Sequence, residues 1–292
     1  MNAIKSSELI TNEDGTIFHL HLHAEDLADN VVLVGDPSRV EMIASRFDSI
    51  ELTRGNREFH TITGTYRQKR FSVISTGIGT DNIDIVVNEL DALANIDLET
   101  KQIKPEKKAL NIVRIGTSGS VQADVPVHAF VISEMSVGID GVLRFYQDNE
   151  KICDAAFEDA FVNQCQWAPQ AARPYAVSSS PEMVNKLHSE GTTVKGVTLT
   201  ANGFYGPQGR VLRLPLQMPG INDRIAHFRY NGRKIVNYEM ESAAIAGLSA
   251  LMGHHAATIC LIIANRATGD ASPDYKPYME KLVNYTLDKL TR

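Results

Sequence analysis

Short apolar runs rich in valine and isoleucine alternate along the chain with segments whose apolar residues recur every three or four positions. The runs, several of them apolar on both faces, predict buried strands at residues 31–34, 71–75, 111–115, 130–133, 194–200 and 257–264. The longer spacing predicts helices within residues 83–93, 243–251 and 279–290. This alternation is typical of an α/β fold with a largely parallel central sheet.

Nothing along the chain marks a boundary between domains. No linker rich in proline, glycine or serine and no run of like charge divides residues 1–292, so we expect a single domain. Residues 1–16 are polar and are predicted to form a flexible N-terminal segment. Two further stretches are interpreted as irregular or inserted, the charged and lysine-rich residues 97–108 and residues 213–229.

Composition narrows the class of protein. The 292 residues are 43% hydrophobic and 22% charged, with a formal net charge of −6, which gives no general attraction to nucleic acid or to an anionic membrane. The N-terminus lacks the apolar core of a signal peptide, and the apolar stretch 257–264 is too short to cross a bilayer. Three cysteines without metal-binding spacing favour a cytoplasmic location.

Two predicted strands end in arginine and glycine, a combination suited to an anion. Residues 35–39 read GDPSR, where Gly35 allows close backbone approach and Arg39 offers a two-pronged donor. The strand at 111–113 is followed by Arg114, glycines and Thr117 in the word RIGTSGS. A third loop, TGIG, precedes a helix. Each loop alone is often only a tight connection, but two in one sheet favour a bound phosphate ion.

Other phosphate motifs do not fit. The sequence has no GxxxxGK[ST] word, which makes a P-loop nucleotide-binding protein a poor interpretation. The TGIG loop lacks the third glycine of a dinucleotide-binding turn, because Asn82 stands in its place.

The segment after the strand at 194–200 suits a planar base. Phe204 and Tyr205 offer flat faces, Gln208 offers a donor beside an acceptor, and Arg210 adds a further donor. Uracil presents an N3–H donor between two carbonyl oxygens, which this set would match. An aromatic anchor followed by a solvated turn explains the composition equally well.

The word NYEMES, residues 237–242, ends a short strand and opens the helix at 243–251. The Glu241 carboxylate can accept hydrogen bonds from a vicinal diol, and Met240 can pack on the apolar face of a sugar. Taken alone, Glu241 is explained more simply as an acidic residue that favours a helix N-terminus.

Together these words resemble the uridine-cleaving branch of the nucleoside phosphorylase family. The matching words occur in the family's order between about Phe18 and Arg266: GDPSR, REF, STGIG, RIGTSG, FYGPQGR, NYEMES and NR. The resemblance implies a mixed, partly barrel-like central sheet flanked by helices. It also implies phosphorolysis of uridine to uracil and ribose 1-phosphate, with phosphate attacking C1′ with inversion and no cofactor beyond that co-substrate.

The resemblance also implies a role for individual residues. Phosphate would be bound by Gly35, Arg39, Arg57, Arg114 and Thr117. Ribose would be bound by His19, Met240 and Glu241, and uracil by Phe204, Gln208, Arg210 and Arg266. The catalytic groups would be Arg114, Glu241, Gln208 and Arg210.

Family members place their sites at dimer interfaces, so His19 and Arg57 are expected to reach the neighbouring subunit's site. We expect a homodimer with shared sites, with assembly into a hexamer left open. Purine-cleaving relatives carry an acidic residue where this chain has Asn265, which argues against purine nucleosides. A monovalent cation at Glu58 stays open, because Asn82 replaces the serine that would complete that site.

Two alternatives remain. One is a purine-type phosphorylase or a nucleosidase of the same family. The other is a non-catalytic nucleoside-binding protein on this fold.

Overall fold

The computed structural model describes residues 3–292, which form a layered α/β structure. The strands are β1 (Asn30–Val34), β2 (Ser49–Asn56), β3 (Phe59–Tyr66), β4 (Lys69–Ser75), β5 (Ile96–Asp97), β6 (Gln102–Ile103), β7 (Asn111–Ser120), β8 (Phe130–Gly138), β9 (Tyr175–Ser178), β10 (Thr193–Thr200), β11 (Ile235–Glu239) and β12 (His255–Asn265). The helices are α1 (Pro37–Ala44), α2 (Thr80–Asn95), α3 (Ala155–Gln164), α4 (Pro181–Leu187), α5 (Ile221–His227), α6 (Ser242–Met252) and α7 (Lys276–Thr291).

Ten strands form one sheet, and half of them close into a ring. The sheet runs β11-β10-β8-β12-β7-β1-β4-β3-β2, with β9 paired to β8. β11 also pairs with β7 in antiparallel register, Asn237 opposite Ser120 and Tyr238 opposite Gly119. This pairing closes a five-stranded barrel of β7, β12, β8, β10 and β11. The expected α/β fold with a mixed, partly barrel-like sheet flanked by helices is confirmed.

A chain of buried polar side chains joins four strands of that ring. The Ser133 and Thr198 hydroxyls lie 2.6 Å apart, and Thr198 Oγ1 donates to Asn237 Oδ1 at 2.8 Å. Asn237 Nδ2 in turn donates to Ser118 Oγ at 2.9 Å. Each of these four side chains therefore has a hydrogen-bond partner, so the barrel wall can hold buried polar residues.

The predicted helices are confirmed and bury the faces that their spacing indicated. In α2 the buried residues include Ile83, Val86, Val87 and Leu90, which pack in one apolar cluster with strand residues. Helix α6 is buried almost all round, from Ser242 to Ser249, because it packs against strands on one side and α2 on the other.

Several segments differ from the expectation. The word RIGTSGS does not leave a strand, because β7 continues through Ser120 beside β12. Strands β2 and β3 were not predicted. Residues 97–108 include the short hairpin strand β6, and residues 213–229 include α5.

The polar N-terminal segment lies against that small hairpin. Ile4 N donates to Lys101 O at 2.8 Å, and Lys101 Nζ donates to Leu9 O at 2.9 Å. Its flexibility and the single-domain assignment stay predictions. No helix within residues 3–292 is long and apolar enough to cross a membrane.

Candidate active site

Arg114 is a buried charged residue at the centre of the site. It lies on β7 with only 5% of its surface exposed, and its guanidinium covers the backbone of Gly116, two residues further along the same strand. A Cβ added to Gly116 would lie 1.9 Å from Arg114 Nη1. Glycine at position 116 is therefore required for this side-chain position, since residues i and i+2 of a strand share a face.

Two carboxylates face Arg114. Glu241 pairs with Nη2, and Glu239 Oε2 lies 3.8 Å from Nη1. Burial opposes the charge, but the two carboxylates hold the pKa of Arg114 above its usual value. Among residues 3–292, neither Nε nor Nη1 of Arg114 has a hydrogen-bond partner. A buried guanidinium therefore keeps donors for a ligand.

Arg39 lies beside Arg114 and carries a second buried charge. Arg39 lies in the first turn of α1. That helix begins with Pro37 and is capped by Asp36, which accepts a hydrogen bond from Ser38 N at 2.9 Å. Arg39 Nη1 donates to Ile115 O at 3.3 Å. Burial and the charge of Arg114 lower the pKa of Arg39. No carboxylate of the described chain lies within 4.0 Å of its guanidinium nitrogens.

The structure thus brings together Gly35, Arg39 and Arg114 of the expected phosphate set. A Cβ on Gly35 would lie 3.8 Å from Arg114 Nη2. Thr117 is half-buried on β7, three residues beyond Arg114.

Glu241 precedes α6, but its side chain does not cap that helix. Glu239 does so instead, since its Oε2 accepts from Glu241 N at 2.9 Å and from Ser242 N at 2.8 Å. Glu241 Oε1 accepts from Gly79 N at 2.9 Å, and burial raises the pKa of Glu241 while Arg114 opposes the shift. The Glu241 side chain therefore turns toward Arg114 and Gly79 instead of capping α6 with a hydrogen bond. Met240, between Glu239 and Glu241 in the sequence, is half-buried.

Gln208 is the centre of a second cluster. It is buried at the end of a short turn after β10, and its Oε1 accepts from Arg210 Nη1 at 2.6 Å and from Arg266 Nη2 at 2.7 Å. Arg266 follows β12 and also lies over the Tyr238 ring, 4.6 Å from its centroid. The expected base-binding residues Gln208, Arg210 and Arg266 are thus in mutual contact.

Phe204 joins this cluster through Arg210, whose guanidinium carbon lies 3.8 Å from its ring centroid. One face of the ring is therefore occupied by a cation, although half of the residue is exposed. Burial lowers the pKa of Arg210, and burial together with Arg210 lowers the pKa of Arg266 to about 10. Neither guanidinium has a carboxylate within 4.0 Å in the described part of the chain.

The two clusters are spaced along β7. Arg114 covers Gly116, and Arg266 Nε would lie 3.7 Å from a Cβ on Gly119. Gly116 and Gly119 are three residues apart, which corresponds to about 10 Å of strand. A cavity of about 710 Å³ opens beside the second cluster, lined by Tyr205, Arg210 and apolar residues of the segment that follows.

His19 and Arg57 lie apart from both clusters. His19 Nδ1 is 2.6 Å from Glu89 Oε1, and Arg57 lies over the Phe18 ring, 5.9 Å from its centroid. His19 is half-buried, whereas Arg57 and Glu58 are exposed in the turn between β2 and β3. The structure does not join them to Arg39, Arg114 or Gln208 within one chain.

Sequence reasoning missed three supporting residues. Glu239 caps α6 and faces Arg114, Tyr238 supports Arg266, and the amide of Gly79 holds Glu241. Two acidic residues two positions apart in NYEMES were the available signal for Glu239. Three of its four donors belong to the neighbouring residues 241 and 242, and only the Thr200 hydroxyl comes from a distant strand.

Comparisons with known proteins show the family and the fold of this chain. A family model described as the phosphorylase superfamily matches residues 29–286. A uridine phosphorylase of Thermococcus kodakarensis is 27% identical over 271 residues, covering 91% of this chain and 83% of the relative. The uridine phosphorylase of Escherichia coli is 30% identical over 265 residues, 86% of each chain. A Trypanosoma brucei nucleoside phosphorylase structure, described as showing uridine phosphorylase activity, superposes with a TM-score of 0.86 at 28% identity, covering 97% of this chain and 99% of that one.

Replacing Gly116 by alanine tests the placement of Arg114. The new Cβ would displace the guanidinium, so we expect the affinity for inorganic phosphate, measured by calorimetry, to fall at least about tenfold, or about 1.4 kcal/mol. Gly206→Ala is the matched control, because no atom lies within 4 Å of its added Cβ. Equal phosphate affinity in both variants would contradict the assignment.

Proposed function

The chain belongs to the phosphorylase superfamily, and we propose that it cleaves uridine with inorganic phosphate, releasing uracil and ribose 1-phosphate. The relatives named as uridine phosphorylases support this substrate. The observation that carries the proposal is the charge pattern of the site. Arg39 at one end, and Arg210 and Arg266 at the other, are guanidinium groups with no carboxylate within 4.0 Å in the described chain.

These positive charges favour negative charge at both ends of the site, on phosphate at one end and on the leaving base at the other. Buried cations without counter-charges are unfavourable in the free protein, and a phosphate dianion beside Arg39 and Arg114 would supply the missing charge. The Nε and Nη1 donors of Arg114, which have no partner within residues 3–292, would donate hydrogen bonds to the phosphate oxygens. The first cluster is therefore proposed to bind phosphate, with Gly35 and Thr117 as further contacts.

The second cluster is proposed to stabilise the leaving base. A phosphate oxygen attacks C1′ as the bond from C1′ to N1 breaks, and the bonding electrons move into uracil toward its carbonyl oxygens. Arg210 and Arg266 then face a base whose negative charge increases in the transition state, so their attraction lowers the barrier. Gln208, held by both arginines, is placed to pair with the edge of the base.

The sugar is proposed to lie between the clusters, beside Glu241 and Met240. Glu241 shares its carboxylate between Arg114 and Gly79 N, and a ribose diol can donate to the same oxygens. The carboxylate also favours the positive charge that develops on the ribose ring as the glycosidic bond breaks.

Asn265 supports a pyrimidine rather than a purine substrate. Its Nδ2 donates to Gln122 O and Val125 O, both at 3.0 Å, and its Oδ1 accepts from Ala267 N at 2.8 Å. The amide is thus committed to backbone groups and has no acidic proton for a purine nitrogen.

Phosphate dependence is the first test of the reaction. We expect uracil release from uridine only when phosphate is present, with one ribose 1-phosphate formed per uracil, followed by liquid chromatography. Equal release in phosphate-free buffer would indicate a nucleosidase. Binding of uridine without any turnover would indicate a binding protein.

Gln208→Ala tests the base assignment. Removing the amide deprives uracil and both arginines of a buried partner, so kcat/KM for uridine should fall roughly tenfold to a hundredfold, or ~1–3 kcal/mol. Gln164→Ala is the control, since that exposed glutamine bonds Arg229 far from the site. Unchanged kcat/KM for uridine in the Gln208 variant would refute the role of Gln208 in base binding. Efficient cleavage of inosine by the wild-type protein would refute the preference for a pyrimidine base.

The protein is further proposed to act as a homodimer with shared sites. His19 is half-buried, Arg57 is exposed, and neither bonds any of the other proposed site residues. A C2 dimer would let each chain present these two residues to its partner's phosphate and ribose. Assembly of dimers into a hexamer and a monovalent cation at Glu58 stay predictions. So does a cytoplasmic location, which the three free cysteines favour.

Refolding two inactive variants together tests the shared site. Arg114→Ala should damage a chain's own site, and Arg57→Ala the site of its neighbour. Random pairing makes half of the dimers mixed, and each mixed dimer has one intact site, which gives roughly a quarter of wild-type activity. If mass measurement confirms mixed dimers and the activity stays as low as in the parents, Arg57 acts within its own chain.

A further inference from the structure

We infer that Glu239 is a positioning residue for the proposed phosphorolysis, holding Glu241 in place while it shares the charge of Arg114. The inference rests on the proposed function and assigns a role to a carboxylate that would not itself touch the substrate.

The Glu239 carboxylate is saturated with hydrogen bonds. Its side chain is 1% exposed. Oε1 accepts from Thr200 Oγ1 at 2.6 Å and from Ser242 Oγ at 2.7 Å, while Oε2 accepts from the backbone amides of Glu241 and Ser242. Four donors therefore satisfy both oxygens of one buried carboxylate. With its donors fixed by β10 and α6, Glu239 has no freedom to bind a ligand.

These bonds determine what Glu241 is free to do. The first amides of a helix need acceptors, and an acidic residue at the start of α6 would ordinarily supply them. Because Glu239 accepts from the amides of residues 241 and 242, the Glu241 side chain is released toward Arg114 and Gly79. Glu239 also bonds the backbone of Glu241 itself, which fixes the point from which that side chain extends.

Glu239 is also a second negative charge beside Arg114, so the guanidinium is attracted to two carboxylates instead of one. Glu239 Oε2 lies 3.8 Å from Nη1, and Glu241 pairs with Nη2. With both carboxylates charged, Glu241 is one of two partners and can exchange Arg114 for the ribose hydroxyls. Without the Glu239 charge, the pair of Arg114 and Glu241 would tighten, and ribose would compete less well for Glu241.

Replacing Glu239 with glutamine separates these roles from simple structural support. The amide oxygen can still accept from the two backbone amides, and the amide group can donate to the Thr200 and Ser242 hydroxyls, so the shape of the cap is kept while the charge is lost. We expect KM for uridine to rise about tenfold or more. KM for phosphate should stay within twofold or fall, because the donors of Arg114 face one negative charge fewer.

Asp154→Asn is the matched control. Asp154 caps α3 outside the site, with Oδ1 accepting from Phe157 N at 3.0 Å. It is also a change from acid to amide at a helix N-terminus. Because asparagine and aspartate cap helices about equally well, it should change neither KM and should leave Tm close to wild type. If Glu239→Gln also leaves both KM values within twofold of wild type, Glu239 is only structural and the inference is overturned.

Ser242→Ala keeps the test decisive if the glutamine variant does not fold. It removes one donor from Glu239 Oε1 and keeps the charge and both backbone amides, and alanine favours a helix. We expect KM for uridine to rise twofold to tenfold at unchanged KM for phosphate. No change in KM for uridine would overturn the inference. Wild-type turnover of uridine with phosphate is measured alongside, so failure of the proposed function is recognised separately.

Discussion

The buried pairing of Arg114 with Glu241 is the interaction on which the site depends. A guanidinium and a carboxylate withdrawn from water are costly unless their remaining groups are satisfied. Here the pair joins β7 to the start of α6, so it requires β11 to lie beside β7, which is the pairing that closes the barrel. The strand pairing that closes the barrel therefore also brings the two partners of the ion pair together.

Much of the fold follows from the sequence because the central strands are buried on both faces. Their apolar runs leave little choice of structure, as at residues 31–34 and 257–264. Strand β2 could not be predicted, since it lies at the edge of the sheet and most of its residues are exposed. The glycine-rich second half of β7 resembles a loop in sequence, but β12 pairs along it and keeps it extended.

The sequence motifs predicted which residues belong to the site, but they did not predict which of these residues contact one another. Gln208, Arg210 and Arg266 meet because the loop after β10 contacts the residue that follows β12, which no spacing in the chain reveals. From NYEMES alone, Glu241 was the acidic residue expected at the helix cap. Only the positions of the Thr200 and Ser242 hydroxyls decide that Glu239 takes it and Glu241 turns toward the site.

The site combines rigid and uncompensated charges, and this combination suits a reaction in which charge moves. Glu239 and Arg114 are fixed by hydrogen bonds or close packing, so they need not reorganise when a substrate binds. Arg39, Arg210 and Arg266 lack carboxylate partners within reach in the described chain, and their charges act on whatever anion enters. Phosphate brings negative charge to one end, and bond cleavage creates negative charge at the other. Because the base-side attraction grows as the bond breaks, the site favours the transition state over the bound nucleoside.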